Sequence, residues 1–405
     1  MAKNRRGNIS LLIVQLLFLV LAFMLALQLL ILAFDQMGQE QVRQIFAATS
    51  NPFIGLFIGL LATAIIQSSS TITTLTVAAV AANTLTLDSA VFIIMGANIG
   101  TTVTSTLVSV SHVSQRKEFR KAIAAGTLHD FFNIFTALIL FPLEYYFRVL
   151  SSLARYFSQL IYGDSVTTIH SIPNPLGKLF FPLTDFLHHT LGGNSTVTLI
   201  LAAIILFITI RSIALLLKPK WDEGLKRGIE KNFFGRPFRA LLSGTIITGV
   251  MQSSSVVSSL VVPMVASNKL SVRRVFPFIM GTNLGTTFTA LFAALSKSEA
   301  ALSIALTHIL FNLIGVLIFY PIPAIRNIPV WFARRLGKAT LRNRLYGFIY
   351  LLFTFFVIPF FLIYFSQKTT KKQNYNNPTL ERPTIGILEK NWEEETYDIK
   401  KRNDY

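Results

Sequence analysis

The tetrad Gln67-Ser68-Ser69-Ser70 recurs as Gln252-Ser253-Ser254-Ser255, and each copy lies in the middle of a long apolar stretch. An ungapped shift of 185 positions, from Gln67 to Gln252, also superposes two further blocks: Gly96-Ala97-Asn98-Ile99-Gly100-Thr101-Thr102 on Gly281-Thr282-Asn283-Leu284-Gly285-Thr286-Thr287. Chance does not preserve a register over such a distance. The chain therefore contains an internal duplication, and its repeated polar tetrads indicate one site built from two halves.

The duplication extends beyond these blocks. Two more pairs match at the same shift, Gly59 with Gly244 and Asn83 with Asn268. Further along, the spacing His129 to Asn133 recurs as His308 to Asn312 at a shift of 179, so the second copy lacks six residues between the blocks. The repeated unit runs at least over 59–133 and 244–312.

Composition indicates the kind of protein that carries this repeat. Hydrophobic residues make up 52% of the 405 residues and charged residues only 14%. Because a helix that crosses a bilayer needs about 20 mostly apolar residues, we predict an all-α polytopic membrane protein. Seven stretches meet this requirement, at 9–34, 89–110, 122–141, 197–217, 275–295, 300–320 and 346–365. The two tetrad segments are additional to these spans.

The net charge of +18 comes from basic residues in short polar loops beside the apolar stretches. Cytoplasmic loops are enriched in Lys and Arg, so we interpret these residues as orientation signals and predict no binding to nucleic acid. Four basic segments are assigned to the cytoplasmic side: 3–6, 116–121, 218–239 and 326–344. The first tetrad segment then enters the membrane from outside and the second from inside. The two repeats are therefore predicted to be inverted.

Each tetrad segment is nearly a full span in length, but its middle is polar. We predict that each forms a re-entrant helical hairpin, with a full span that has a polar middle as the alternative. Non-helical backbone at membrane depth must be buried in protein or line a wet cavity, so the tetrads are expected to face each other near the midplane. Inverted repeats with broken helices are a recurring design of secondary transporters.

These predictions divide the chain into six parts. They are an N-terminal span and outer loop (1–52), repeat 1 (53–147), an outer connector with an interfacial helix (148–196), repeat 2 (197–320), a basic connector with the last span (321–365) and a polar tail (366–405). The interfacial helix is predicted over 145–161, with Arg148 and Arg155 on its polar side. An ordinary surface connector is the alternative for that segment.

The repeated blocks contain hydroxyl and amide side chains but no Lys, Arg, Asp or Glu. Such donors, together with backbone N–H groups at half-helix N-termini, can hold an oxyanion. Hydroxyl, amide and carbonyl oxygens also bind sodium in discontinuous helices. An anion and a cation bound together offset each other's desolvation, which favours cotransport. Four glycines are expected to permit an unwound turn beside the tetrads: Gly96, Gly100, Gly281 and Gly285.

No sequence pattern of a common enzyme class is present. The chain has no Gly-x-Ser-x-Gly elbow, His-Glu-x-x-His pair, phosphate-binding loop or dinucleotide fingerprint, and it contains no cysteine. We therefore predict that the protein is not an enzyme and uses no organic cofactor. Three other readings stay open: a membrane serine hydrolase that uses Ser70 and His129, a channel, and a receptor that binds without transporting.

The quoted blocks resemble the type II sodium-phosphate cotransporters. The resemblance rests on the doubled tetrad, on both glycine-threonine blocks, and on Glu118-Phe119-Arg120 followed by His129-Asp130-Phe131-Phe132-Asn133. It implies alternating-access transport of inorganic phosphate with sodium as co-substrate, in the inner membrane of a bacterium. Transport of another oxyanion such as sulfate or arsenate, proton coupling, and a phosphate channel or exporter are the alternatives.

Matched residue by residue, the resemblance implies two overlapping sets of ligands. Phosphate is expected to bind the tetrads, through Gln67, Ser68, Ser69, Ser70, Gln252, Ser253, Ser254 and Ser255. Sodium is expected to be held or supported by Ser70, Asn98, Thr101, Thr102, Ser255, Asn283, Thr286 and Thr287. The implied partners are phosphate, sodium and the lipid bilayer, and a homo-oligomer stays open.

Three ionisable residues of the repeats lie outside these sets. For His129 and His308 we favour a structural role, because each shares a helix face with an asparagine four residues later. Asp130 has no acidic counterpart in the second repeat, where Ile309 takes its place. A sodium ligand and a partner for a loop arginine are both open for this residue.

Overall fold

The structure is a computed structural model that describes residues 2–36, 51–162, 175–216, 233–294, 298–361 and 364. The described residues form helices and turns and contain no β-strand, which agrees with the all-α prediction. The chain divides into two compact units, Met1–Phe360 and Phe361–Tyr405, and almost all described residues belong to the first. The predicted polar tail, 366–405, lies outside the described residues.

The helices follow one another with short connections. In the first half they are α1 Ala2–Gln36, α2 Pro52–Ile66, α3 Ser69–Ala81, α4 Leu87–Gly100, α5 Val103–Val110, α6 Arg116–Phe147 and α7 Val149–Tyr162. In the second half they are α8 Pro175–Thr190, α9 Ser195–Leu216, α10 Pro237–Met251, α11 Ser254–Ala266, α12 Val272–Ala294, α13 Glu299–Phe319, α14 Pro323–Arg342 and α15 Leu345–Leu352.

Four helical segments of the described residues are long and apolar enough to cross a membrane. They are Leu87–Val110, which joins α4 and α5, and the helices α6, α12 and α13, and each coincides with a predicted span. The other three predicted spans fall mainly on α1, on α9, and on α15 with the π-helical turn Phe353–Val357. Their apolar parts are shorter.

The first helix of each tetrad segment packs tightly against the helix that follows the tetrad, α2 against α4 and α10 against α12. Glycines make this approach possible. A Cβ on Gly96 would lie 1.8 Å from the Leu56 carbonyl oxygen, and one on Gly281 would lie 2.0 Å from that of Leu241. Positions 56 and 241 also differ by 185, so both repeats use the same contact in the same register.

The expected unwound turn at the four block glycines is wrong. Gly96 and Gly100 lie in helix α4, and Gly281 and Gly285 lie in helix α12. Their lack of a Cβ serves close helix packing, because each faces the backbone of the preceding helix. The backbone is instead interrupted at the tetrads themselves, and, in the first repeat alone, by one turn at Thr101-Thr102 between α4 and α5.

The repeats also pack against each other in a reciprocal way. Helix α3 of the first repeat contacts α12 and α13 of the second, and helix α11 of the second contacts α5 and α6 of the first. Between them lies an aromatic core, in which the Phe132 ring meets Phe276 and Phe319 edge-on, with centroid distances of 5.9 and 5.8 Å. Reciprocal contacts of equivalent elements are the pattern that two-fold symmetry produces.

A helix is present where the interfacial helix was predicted. Helix α6 ends at Phe147, the chain turns at Arg148 with a φ of 52°, and α7 begins at Val149. Asp88, at the start of α4, pairs with Arg148 and Arg155 at 3.4 and 2.7 Å. The ion pairs hold α7 near the start of α4, and its location at the membrane surface stays a prediction.

Helices α8 and α14 were not predicted from the sequence. Helix α14 lies in the basic connector, where five basic residues reduce the hydropathy of the segment: Arg326, Arg334, Arg335, Lys338 and Arg342. It packs against α6, with the Phe332 ring 5.6 Å from Phe131 and with Gly337 against the Arg120 carbonyl. Tertiary packing thus stabilises a helix that apolar length alone does not reveal.

Candidate functional site

The first tetrad forms a break between two helices. Helix α2 ends at Ile66, and Gln67 adopts the left-handed conformation with φ 58° while its N–H donates to the Thr63 carbonyl at 2.7 Å. Ser68 is extended, and its hydroxyl oxygen accepts a hydrogen bond from the Thr71 N–H at 3.2 Å. Helix α3 then begins at Ser69. The tetrad therefore places the end of one helix beside the beginning of another.

The second tetrad repeats this backbone conformation. Gln252 has a φ of 51° and donates its N–H to the Thr248 carbonyl at 2.6 Å. Ser253 is extended, with a φ of −145°, and caps α11 by accepting from the Val256 N–H at 3.4 Å. A left-handed residue other than glycine is uncommon and unfavourable. Its presence at both equivalent glutamines shows that the break is a defined feature of each repeat.

Each break presents two ends of opposite polarity. The first N–H groups of α3 and α11 have no acceptor within their own helix, and the N-terminus of a helix carries roughly half a positive charge. One of these groups, the Ser254 N–H, donates to the Thr286 hydroxyl at 3.2 Å. The last carbonyl groups of α2 and α10 lie on the other side of each break and form the negative ends. The arrangement suits an anion at one end and a cation at the other.

The serines of both tetrads lie inside the protein. Ser69 and Ser70 are 5% and 6% exposed, and Ser254 and Ser255 are 2% and 7% exposed. Of these four hydroxyls, the one on Ser255 is bound, and it donates to the Thr101 carbonyl of the first repeat at 3.2 Å. Within the described residues, the other three are free to donate to a ligand. Gln67 is exposed and Gln252 half-buried, so their amides reach space outside the packed core.

The threonines of the partner blocks have the opposite hydrogen-bonding character. Thr101 and Thr102 donate their hydroxyl protons to carbonyls of their own helix, Ala97 and Ile99, at 3.0 and 2.8 Å. Thr287 does the same in the second repeat. A hydroxyl whose proton is engaged in this way offers only lone pairs to a further ligand. These threonines are therefore suited to a cation and poorly suited to an oxyanion.

The two block asparagines join the repeats to each other. Asn98 Oδ1 accepts from Asn312 Nδ2 at 3.0 Å, and in the equivalent pair Asn283 Nδ2 donates to Asn133 Oδ1 at 2.5 Å. His129 Nε2 also bonds Asn283 Oδ1. Because the amide oxygens of Asn98 and Asn283 already have protein donors, these residues support the site through the backbone that they hold.

This network gives His129, Asn133 and Asn312 the structural contacts that the sequence analysis favoured. The sequence analysis did not foresee that the contacts cross between repeats. Since residues matched at two different shifts, 185 and 179, bond pairwise in both directions, the repeat pattern itself contained the signal. His308 differs from His129, because both of its ring nitrogens are buried without a hydrogen-bond partner among the described residues.

Asp130 lies beside this network. One of its carboxylate oxygens accepts a hydrogen bond from the Thr106 hydroxyl at 2.8 Å, and the residue is fully buried. It forms no ion pair with an arginine in the described part of the chain, so the structure provides no partner of that kind. Clusters of three or more His, Cys, Asp or Glu side chains that could hold a metal are absent from the described residues.

Two threonines near the tetrads were missed by the sequence analysis. Thr63 and Thr248 lie one turn before Gln67 and Gln252, are completely buried, and have hydroxyls without a partner among the described residues. Their positions also differ by 185. Inspection of every polar match at that shift, rather than of the conspicuous blocks alone, could have found them.

Comparison with known proteins gives the family. A model of the Na+/Pi-cotransporter family matches residues 22–163 and 205–330, which include both tetrads and both partner blocks. No solved structure matches the chain.

Curated relatives agree with this match. The chain is similar to sodium-dependent phosphate transport protein 2A of Ovis aries, with 32% identity over 88% of this chain and 68% of the relative. It is also similar to protein 2B of Homo sapiens, with 30% identity over 83% of this chain and 62% of the relative, and to protein 2A of Rattus norvegicus, with 31% identity over 83% and 65%. The chain thus spans roughly two thirds of the length of these relatives. It belongs to the Na+/Pi-cotransporter family, whose members are transporters and not enzymes.

Proposed function

We propose that the protein is a sodium-coupled symporter of inorganic phosphate that works by alternating access in a cell membrane. The names of its relatives describe sodium-dependent phosphate transport. The observation that carries the proposal is the repeated break, in which two buried tetrads place helix N-termini and helix C-termini side by side. Phosphate and sodium bind between the two tetrads near the membrane midplane.

Phosphate binds to the donors of the breaks. These are the free hydroxyls of Ser69, Ser70 and Ser254, the amides of Gln67 and Gln252, and the N–H groups that begin α3 and α11. Ser68 and Ser253 contribute through their backbone, because their hydroxyls already cap the helices. Hydroxyl and N–H donors can hold an oxyanion at the positive end of a helix without a basic side chain.

Sodium binds to the acceptors. Thr101, Thr102, Thr287 and Ser255 have hydroxyl protons engaged with carbonyls, and Thr286 accepts from the Ser254 N–H. Ser70 lies at the junction of the two ligand sets. Asn98 and Asn283 hold the partner blocks in place from behind. The division between donors and acceptors separates two ligand sets that the sequence analysis left overlapping.

Alternating access follows from two inverted repeats. The reciprocal packing of α3 and α11, together with the reciprocal asparagine pairs, supports a two-fold relation between the repeats. The distribution of basic loops places its axis in the membrane plane, and each tetrad segment is then a re-entrant hairpin. In such transporters one element moves against another around a site near the midplane.

Uptake of radiolabelled phosphate into proteoliposomes tests the proposal. We expect accumulation that requires an inward sodium gradient, is absent in a matched potassium gradient and is not inhibited by sulfate. Uptake without sodium would indicate a proton-coupled carrier or a channel, and inhibition by sulfate or arsenate would indicate a broader oxyanion transporter. An absence of both binding and flux would overturn the proposal.

Variants locate the site within the same assay. Ser69→Ala and Ser254→Ala each remove a free buried hydroxyl and are expected to abolish uptake while the protein stays folded. The matched control is Ser267→Ala, because Ser267 is an exposed serine just beyond the end of α11 and donates to the Met264 carbonyl at 3.3 Å. Normal uptake by Ser69→Ala and Ser254→Ala would exclude these hydroxyls from the phosphate site.

A further inference from the structure

Two buried threonine hydroxyls stand out because nothing in the described protein binds them. Thr63 and Thr248 are each 0% exposed, and neither Oγ1 has a hydrogen-bond partner. Burial of an unpaired hydroxyl is unfavourable. One such hydroxyl would carry little weight, but the same feature occurs at equivalent positions of both repeats, which indicates a common cause.

Helix geometry does not account for these two hydroxyls. Buried threonines elsewhere in this chain donate to the carbonyl four residues earlier, as Thr127 and Thr307 do at 2.8 and 2.9 Å. Thr245, one turn before Thr248 on the same helix, also does so, with the Leu241 carbonyl at 3.0 Å. Thr63 and Thr248 depart from this habit, so their oxygens keep both lone pairs for another ligand.

Their location indicates the sign of that ligand. The Thr63 and Thr248 carbonyls accept the last backbone hydrogen bonds of α2 and α10. The carbonyls that follow, at 64–66 and 249–251, receive no backbone hydrogen bond from the described residues. The C-terminal end of a helix carries roughly half a negative charge, so the surroundings repel an anion and attract a cation.

The partner blocks complete the surroundings. Thr63 Cβ lies 2.8 Å from the position that a Cβ on Gly100 would take, and Thr248 Cβ lies 2.7 Å from that position on Gly285. Each threonine therefore packs directly against the residue that precedes Thr101-Thr102 or Thr286-Thr287. The absent glycine side chain leaves room for it there.

We propose that Thr63 and Thr248 are sodium ligands, each acting with the terminal carbonyls of its own helix, so that each repeat holds a cation subsite on the side of the tetrad away from the phosphate donors. The assignment rests on the proposed function. It extends that function to residues outside the tetrads and outside the partner blocks. Sodium prefers hydroxyl and carbonyl oxygens, and discontinuous helices supply both.

Valine substitutions test the assignment, because valine keeps the shape of threonine and removes the oxygen. For Thr63→Val and Thr248→Val we expect the sodium concentration for half-maximal phosphate uptake to rise by about tenfold or more, the usual effect of removing one contact to a charged group. Thr63→Ser and Thr248→Ser keep the oxygen and should remain close to the wild type. Thr245→Val is the matched control and should leave the sodium dependence unchanged.

A second readout needs no transport. Sodium chloride, compared with potassium chloride, should raise the thermal unfolding temperature of the purified wild type, and the valine variants should lose most of this shift. In sodium-free buffer the same variants should be at least as stable as the wild type, because an unpaired buried hydroxyl has been removed. A merely structural threonine would give the opposite result, with lower stability in both salts.

The outcomes separate this inference from the proposed function. If the wild type transports phosphate with sodium but both valine variants keep its sodium dependence, the threonines are not ligands. If neither valine variant folds in sodium-free buffer, the hydroxyls are structural and the inference is also wrong. If the wild type shows no sodium-dependent transport and no sodium-dependent shift, the proposed function itself fails.

Discussion

Asn98 accepts a hydrogen bond from Asn312 across the boundary between the repeats, with 3.0 Å between Asn98 Oδ1 and Asn312 Nδ2. Both side chains are buried, at 4% and 0% exposure. The equivalent pair, Asn133 and Asn283, bonds in the same way with the repeats exchanged. Two polar clasps therefore hold the repeats in register inside an otherwise apolar core.

The clasp predicts coupled effects on stability. Asn98→Ala and Asn312→Ala should each lower the free energy of unfolding by about 1 to 3 kcal/mol, because each leaves a buried partner unpaired. The double variant should lose less than the sum, with a coupling of about 0.5 to 3 kcal/mol. Unfolding in mixed micelles measures this cycle. Asn98→Ala combined with Asn343→Ala, an exposed helix-capping residue, serves as the control and should be additive.

The glycine contacts predict a sharp difference between neighbouring substitutions. Gly96→Ala and Gly281→Ala place a Cβ 1.8 and 2.0 Å from backbone oxygens, so α4 and α12 must shift, at a cost of about 1 to 3 kcal/mol or more. Gly249→Ala meets only the Phe288 side chain at 3.2 Å and should be tolerated. The yield of monodisperse protein in gel filtration compares them, and equal yields for Gly96→Ala and Gly249→Ala would contradict the contact.

Much of this architecture could be predicted from the sequence because the duplication carries it. The shift of 185 positions locates the tetrads, and the structure places helix breaks at Gln67 and Gln252 within them. Apolar length located α4 with α5, α6, α12 and α13. These features depend on local composition and on repetition, which a single sequence displays directly.

Other features depend on contacts that composition does not reveal. Glycine permits both an unwound turn and a close helix approach, and only the positions of Leu56 and Leu241 decide that Gly96 and Gly281 serve the second purpose. Helix α14 is stabilised by packing on α6 despite its basic residues. Whether a hydroxyl donates to its own helix also depends on its rotamer, so Thr245 and Thr248 look alike in sequence but differ in the structure.

The tetrad glutamines predict an effect on phosphate that exceeds the effect on sodium. Gln67→Glu or Gln252→Glu replaces a free amide, which can donate to phosphate, with a carboxylate, which repels it. Phosphate half-saturation should rise by about tenfold or more, as expected for loss of a hydrogen bond to a charged group, while sodium half-saturation changes less. Gln115→Glu, at an exposed position before α6, is the control. An unchanged phosphate affinity in both tetrad variants would exclude these amides as donors.

Two carboxylates near the start of α7 predict opposite sensitivities. Glu144 is 3% exposed, and its Oε2 accepts from the Leu150 and Ser151 N–H groups at 2.7 and 3.2 Å. It therefore caps α7, and Glu144→Ala should cost about 0.5 to 2 kcal/mol, as the loss of a helix cap does. Asp88 pairs with Arg148 and Arg155 at an exposed position, so Asp88→Ala should cost less than about 1 kcal/mol and should lose its effect in high salt. Thermal unfolding in low and high salt compares the two. A larger, salt-resistant loss for Asp88→Ala would show that the ion pairs, rather than the buried cap, hold α7 in place.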